Sequence, residues 1–289
     1  LVDKDSIKFL KVPNYGENYR IKGEDIKKNQ KILSKGSKIN QQNINLIAAS
    51  GIKKVKVYKK IKIGFFTSGN ELRKPTNNLK NSEINNSNFF SLNSLLDQKF
   101  ITKKYLGNLK DNFKIVKNNL LRASKTNNII ITAGGASVGD EDHLIKALSN
   151  LGKIFFWRAA IKPGRPIAVG KINNCYVVCL PGNPVSVQLL YAMLITPLIE
   201  KLSGGNFKLP NSNKIIANFS MKKKTQRMEW LRVIKKTTKN HDIAEKYPKQ
   251  GSGMISSVSY SDGIIEIRED ISEIKKGDIF DFYDFETLF

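Results

Sequence analysis

Three short apolar runs constrain this chain most: IKIGFFTSG (61–69), NIIITAGG (128–135) and CYVVCLPG (175–182), each closing on small residues. None shows the in-out alternation of a half-exposed strand, so each reads as a strand buried on both faces, as in a parallel sheet. Helical periodicity fills the intervals, at 86–98 (Phe89, Leu92, Leu95, Leu96), at 111–124, near 141–150, and in NPVSVQLLYAMLITPLIEKL (183–202), a long helix stopped by Gly204-Gly205. Ile101–Leu106, IFFWRAAIK (154–162) and PIAVGKI (166–172) read as further strands. Strand alternating with helix predicts a largely parallel α/β/α sheet domain. Beyond Pro210 helices vanish, and IIANFS, EWLRVI, GIIEIRE and DIFDFYDF read as short strands of a small C-terminal all-β domain. Ahead of Lys60 lie a turn-rich start (Asn14 to Asn18), a helix near Gln41–Ser50 closed by Gly51, and a short strand at Val55–Tyr58. Residues 1–13 look like the tail of something, with nothing before Val12-Pro13 to pair with. The expectation is a multidomain α/β chain: an N-terminal remnant (1–54), the α/β domain (55–209) and the β domain (210–289).

The formal charge of +24 admits two readings. One is an electrostatic footprint for nucleic acid. The other is compositional bias, because lysines are scattered along the chain and Asn and Ile abound everywhere. No basic stripe interleaved with aromatics stands out, so the expectation is a solvated surface and no specific nucleic-acid partner. No stretch reads as long and apolar enough to span a bilayer, and LVDKDSIKFL resembles no signal peptide, so no membrane partner is expected. With two cysteines there is no disulfide framework, and the expected compartment is the reducing cytoplasm. His143 and His241 are the only histidines, which speaks against a histidine-rich zinc site or a Ser–His hydrolase.

In an open α/β sheet, ligands bind beyond the carboxyl ends of the strands, and four such ends carry unusual residues. Thr67-Ser68-Gly69-Asn70-Glu71 offers small residues for close approach and a carboxylate beside them; a plain turn reads from it equally. Gly134-Gly135-Ala136-Ser137, leading through Asp140-Glu141-Asp142 into a helix, exposes backbone N–H groups to an anion. Its acids either complement the helix dipole or hold a hard cation such as Mg²⁺. Lys162-Pro163-Gly164-Arg165-Pro166 presents two cations on a braced loop, as an oxyanion clamp would. Leu180-Pro181-Gly182-Asn183-Pro184 opens a long helix, with Asn183 as N-cap and Pro184 in the first turn; as a packing device it is equally sensible.

Taken together these segments resemble the molybdopterin molybdotransferase family, MoeA in bacteria and the E domain of gephyrin in animals. LPGNPVS is the family form unchanged, and GGASVGDEDH is similar to its GGVSxGxxDY. FWRAAIKPGRP is similar to FxKxxxKPGKP, and GENYRIKGEDI to GxNxRxxGEDI. TSGNEL resembles STGDEL, and Asp111-Asn112 resembles its KDN or DDP segment. RMEWLR and GSGMISS resemble RxxFxR and GSxxxxS. The resemblance implies insertion of molybdenum from molybdate into adenylylated molybdopterin, with Mg²⁺-dependent release of AMP, by a homodimer. It implies Glu71, Asp111 and Asp142 as acidic catalytic residues, Asp142 also as the Mg²⁺ ligand. Ser68, Gly134, Gly135 and Ser137 would line the pterin-phosphate loop. Lys162, Arg165, Arg232 and Ser252 would hold molybdate, and Pro181 and Pro184 would shape the pocket. The chain departs from the family at Asn70 and Asn86, where acids are usual, and at Arg158, where Lys is common. It also begins after the MDGYA segment whose Asp contributes to activity. That departure motivates an alternative, a catalytically impaired molybdopterin-binding or scaffold protein of the same fold.

Overall fold

The computed structural model describes the chain except at positions 1, 4, 77, 136–142 and 240 and the side chains of Val2 and Asp3. Two units result, Leu1–Val57 and Tyr58–Phe289. In the first, the opening alternation does find a partner, because Val2–Asp3 pairs antiparallel with Ser6–Ile7. Helix α1 (Gln41–Ala49) begins where the Asn40 side chain accepts from the Asn43 N–H, and ends before Gly51 at φ +72°. The strand expected at Val55–Tyr58 does not form: residues 52–60 have no regular structure, and no ladder runs beside them to take their backbone groups. Within 5–57 no side chain is buried.

The second unit is built on a six-stranded sheet. Its strands are β1 (Ile61–Ser68), β2 (Ile101–Leu109), β3 (Ile129–Ala133), β4 (Lys153–Trp157), β6 (Ala168–Ile172) and β7 (Cys175–Leu180), while β5 (Ile161–Lys162) belongs elsewhere. The order is β2-β1-β3-β7-β6-β4. The first four run parallel, and β6 and β4 complete the sheet antiparallel. Helices α2 (Ser87–Leu95), α3 (Phe113–Ser124), α4 (His143–Leu151) and α5 (Pro184–Leu202) cover it. Side-chain alternation along the buried strands sorts them into layers. Phe65, Ile129, Ile131, Val178 and Leu180 pack with Leu92 of α2 and Leu189 and Leu190 of α5. Phe66, Ile130, Val177 and Cys179 pack with Leu120 of α3 and Leu144 and Leu148 of α4. The result is an α/β/α sandwich, with Cys175 and Cys179 on one face and burial pushing the Cys175 thiol up to about 12.

By length and composition α5 is apolar enough to cross a membrane, which corrects the sequence reading, but 61% of it is buried in the protein's own core. Its middle, Tyr191–Ile195, widens into a π turn. Pro197 supplies the cause: it has no N–H to give, and its ring crowds the carbonyl four residues back. The Thr196 backbone N–H and hydroxyl both donate to the Tyr191 carbonyl five residues back, the hydroxyl at 3.1 Å.

The C-terminal strands are β8 (Asn213–Ala217), β9 (Met228–Thr237), β10 (Asp242–Lys246), β11 (Gly263–Ile267) and β12 (Ile279–Asp284). They run in the order β10-β8-β12-β11-β9, and β10 pairs back on β9, closing a small barrel around Leu231, Val233, Ile265, Phe280 and Phe282. Helix does not vanish entirely here: Ser256–Ser259 and Phe285–Leu288 are single turns. The run 154–162, expected as one strand, is divided between two sheets. Arg158 takes φ +69° with its guanidinium 4.4 Å from the Trp157 ring centre, and Ile161–Lys162 then lies parallel to Met228–Glu229 of the barrel.

Candidate functional site

Strand register gathers the singled-out loops at one end of the first sheet. Ser68 pairs with Leu109, Thr67 with Ala133, and Ala133 with Leu180, so the loops bearing Glu71, Asp111, Gly134 and Pro181 all leave from the carboxyl ends. Ala168 pairs with both Cys179 and Trp157, which places the 158–167 loop at that same end. The closest approach is at Gly134, φ +96°, whose N–H donates to the Leu180 carbonyl at 3.1 Å. A Cβ there would run into the Ser68 carbonyl oxygen. At Gly135, φ +75°, a Cβ would stand 2.9 Å from the Ser68 hydroxyl oxygen. Small residues are therefore required for these backbones to meet. Ser137 and Asp142, like the rest of 136–142, lie outside the described residues.

A buried hydroxyl braces the first loop. Thr67 accepts from the Asn86 amide at 3.0 Å and donates to Asn108 Oδ1 at 3.1 Å, with the Tyr105 hydroxyl at 2.9 Å. Asn108 in turn donates to the Gly69 carbonyl at 2.8 Å. Asn86, where the resemblant family has an acid, uses both ends of its amide: Oδ1 caps α2 by accepting from the Phe89 N–H, and Nδ2 serves Thr67. A carboxylate could perform only the first task. Glu71 is exposed, with its carboxylate folded back against Gly69. Asp111 is 64% exposed at the start of α3, its Oδ1 3.6 Å from His143 Nε2.

The clamp loop is asymmetric. Arg165 is exposed, and among the described residues its guanidinium has no hydrogen-bond or ion-pair partner. The Lys162 ammonium lies 2.9 Å from Glu229 Oε1, on a carboxylate 7% exposed. Arg232 is 1% exposed, and each of its three guanidinium nitrogens donates once, to Ser257 Oγ at 3.2 Å, the Trp230 carbonyl at 3.1 Å and the Gly251 carbonyl at 3.5 Å. Burial draws its pKa down to about 10, with Glu229 opposing. An oxyanion reaching this guanidinium would have to enter a position closed to solvent. Ser252 follows directly, and its carbonyl accepts from the Val185 N–H at 3.3 Å, tying the barrel to the first turn of α5 beside Pro184. Asn183 takes the N-cap position without a capping bond from its side chain.

Sequence reading named Thr67 only as part of its strand end, with no role of its own, and missed Glu229, Asn108 and Asn88, whose Nδ2 donates to the Gly182 carbonyl at 2.7 Å. Glu229 had left a trace, as a carboxylate at the head of an otherwise apolar strand segment, EWLRVI. Among the described residues no three His, Cys, Asp or Glu side chains gather into a set that could hold a metal. The acids at 140–142 fall outside that set because they are not described.

Fold and loops together define a class: residues 64–201 match the family described as a probable molybdopterin binding domain, and 214–285 match the MoeA C-terminal region, domain IV. The molybdopterin molybdenumtransferase of Haemophilus influenzae is 32% identical over 280 residues, covering 96% of this chain and 69% of that protein. A putative molybdopterin biosynthesis protein of Methanocaldococcus jannaschii is 29% identical over 288 residues, with 96% and 69% covered. The crystal structure of the molybdopterin biosynthesis MoeA protein from Pyrococcus horikoshii superposes with a TM-score of 0.74 at 28% identity, over 91% of this chain and 64% of that one. The chain thus spans about two thirds of the length of these relatives. It belongs to the MoeA family of molybdopterin molybdenumtransferases, a transferase family of molybdenum cofactor biosynthesis.

Proposed function

We propose that the chain is a molybdopterin molybdotransferase, inserting molybdenum from molybdate into adenylylated molybdopterin with release of AMP. One observation carries the reading: Ser68, Gly134, Gly135 and Pro181 meet at the carboxyl end of the parallel strands, where the Lys162–Arg165 loop also lies. Backbone N–H groups at such a crossing favour a phosphate. Ser68, Gly134, Gly135 and Ser137 line the pterin-phosphate side. Arg165 and Lys162 face the molybdate oxyanion, a charge-assisted contact of the stronger kind. Arg232 acts on that side through the loop that carries Ser252, while Pro181 and Pro184 shape the turn between strand and helix. Glu71, Asp111 and Asp142 are the proposed catalytic acids. Mg²⁺ belongs to the same proposal with Asp142 as its ligand; when bound it would supply neutralising charge for a phosphate. The described donors do not by themselves assemble its site.

We propose further that the protein works as a cytoplasmic homodimer. Residues 5–57 bury no side chain and expose Phe9 (75%), Leu10 (82%) and Val12 (83%), more apolar surface than so small a unit leaves bare on its own. The test of function is AMP release from adenylylated molybdopterin in the presence of molybdate and Mg²⁺. The expected outcome is turnover that Glu71→Gln abolishes. Pterin binding without AMP release would favour the scaffold alternative.

A further inference from the structure

We propose that Glu229 is a positioning residue for Lys162, holding its ammonium at the mouth of the clamp loop while leaving it open to an oxyanion. This rests on the reading of Lys162 as an oxyanion ligand. A carboxylate taken out of water is costly unless paired, so a buried one needs a cation. Glu229 is 5% exposed, and its hydrogen-bonded partner is Lys162 at 2.9 Å, with Arg232 as a second nearby cation. The pair is lopsided: the Lys162 side chain is 55% exposed and that of Glu229 7%. Among the described ion pairs no other joins so buried an acid to a lysine more than half exposed; Lys214–Asp281, at the same 2.9 Å, is 68% and 41% exposed.

Backbone geometry fixes both ends. Lys162 and Glu229 are register partners in the parallel β5–β9 ladder, and the Met228 N–H donates to the Ala160 carbonyl at 2.9 Å. An ammonium has three N–H donors. One goes to Glu229, and the others remain for a ligand. A free lysine stem would have to be immobilised when the ligand arrives; here that ordering is done beforehand, as in any preorganised site. The carboxylate therefore trades some of the ammonium's charge for a fixed location.

Titration calorimetry with molybdate alone, on the purified 289-residue chain, tests this. Removing a negative charge near an anion site should by itself tighten binding. If Glu229 positions Lys162, Glu229→Gln instead weakens molybdate binding about fivefold to tenfold. Because Glu229→Gln also strips a countercharge from buried Arg232, Glu229→Asp is run beside it, keeping the charge but drawing it back from Lys162 by one methylene; it too should weaken binding. In a Lys162→Ala background, Glu229→Gln should cause no further loss, whereas a merely structural role would give additive losses. Asp281→Asn, which opens the exposed pair on the same barrel, should leave affinity unchanged. Tighter or unchanged binding in both Glu229 variants, or additive losses, overturns the inference while the oxyanion reading stands. A Lys162→Ala variant that binds molybdate as well as wild type overturns both.

Discussion

At Gly134 a positive φ coincides with a contact that leaves no room for a side chain. Gly134→Ala must therefore carry left-handed strain, roughly 1–3 kcal/mol, on top of displacing the Ser68 carbonyl. We expect a lower melting temperature together with loss of adenylylated-molybdopterin binding; a variant that melts and binds as wild type would refute the close approach. Arg165 is the opposite case, exposed and unpartnered among the described residues. Arg165→Ala should leave the melting temperature unchanged and weaken molybdate binding about tenfold to a hundredfold, the worth of a charge-assisted contact of roughly 1.5–3 kcal/mol. Lys239→Ala is the surface control. Lys235 gives a pH signature. Its pKa is raised above the ordinary 10.5, first by the hydrogen bond to Asp284, with burial opposing and the charges of Asp284, Asp242 and Asp262 helping. The stabilisation is then complete below the ordinary lysine value and is lost as pH rises through the raised one. Lys235→Met should melt below wild type at pH 8, and the gap should close in strongly alkaline buffer.

Among the elements, Ile129–Ala133 is buried at every position between two parallel neighbours, whereas Lys153–Trp157 lies at the sheet edge and exposes four of its five residues, Phe155 at 48%, with Ile154 half-buried. Amide hydrogen exchange should accordingly be slowest in 129–133 and faster by orders of magnitude in 153–157. Equal protection would contradict the strand order. The buried strands were legible because an apolar run closing on Gly or Pro has few other uses. The division of 154–162 was not: its composition is continuous, and the break turns on a left-handed Arg158, a residue type for which nothing local announces positive φ. The strand expected at 55–58 failed for the complementary reason, since a period-2 pattern states a preference and cannot supply a neighbour to bond with. At the site, glycines and prolines announced themselves by type, while Thr67 and Asn108 are ordinary residues whose role comes from a network formed across three segments.

For the whole molecule, a charge of +24 sets the conditions under which copies can meet. Like charge repels at long range and is screened within about 10 Å at 0.1 M salt. The proposed homodimer should therefore strengthen as salt is raised, seen by light scattering as a mass approaching twice 32.6 kDa. A monomer at micromolar concentration in 0.3 M salt would count against it. Molybdate binding should respond in the opposite sense, weakening with salt as its attraction is screened. The stretch 203–212, between the last turn of α5 and the barrel, looks like a natural junction for recombination between relatives. It is a misleading one. The barrel's open edge at Met228–Glu229 is filled by Ile161–Lys162, residues encoded about fifty codons upstream of that junction. A crossover there would inherit the lysine from one parent and its carboxylate from the other, so the exchangeable module is the barrel together with the 158–167 loop, discontinuous in the gene though contiguous in space.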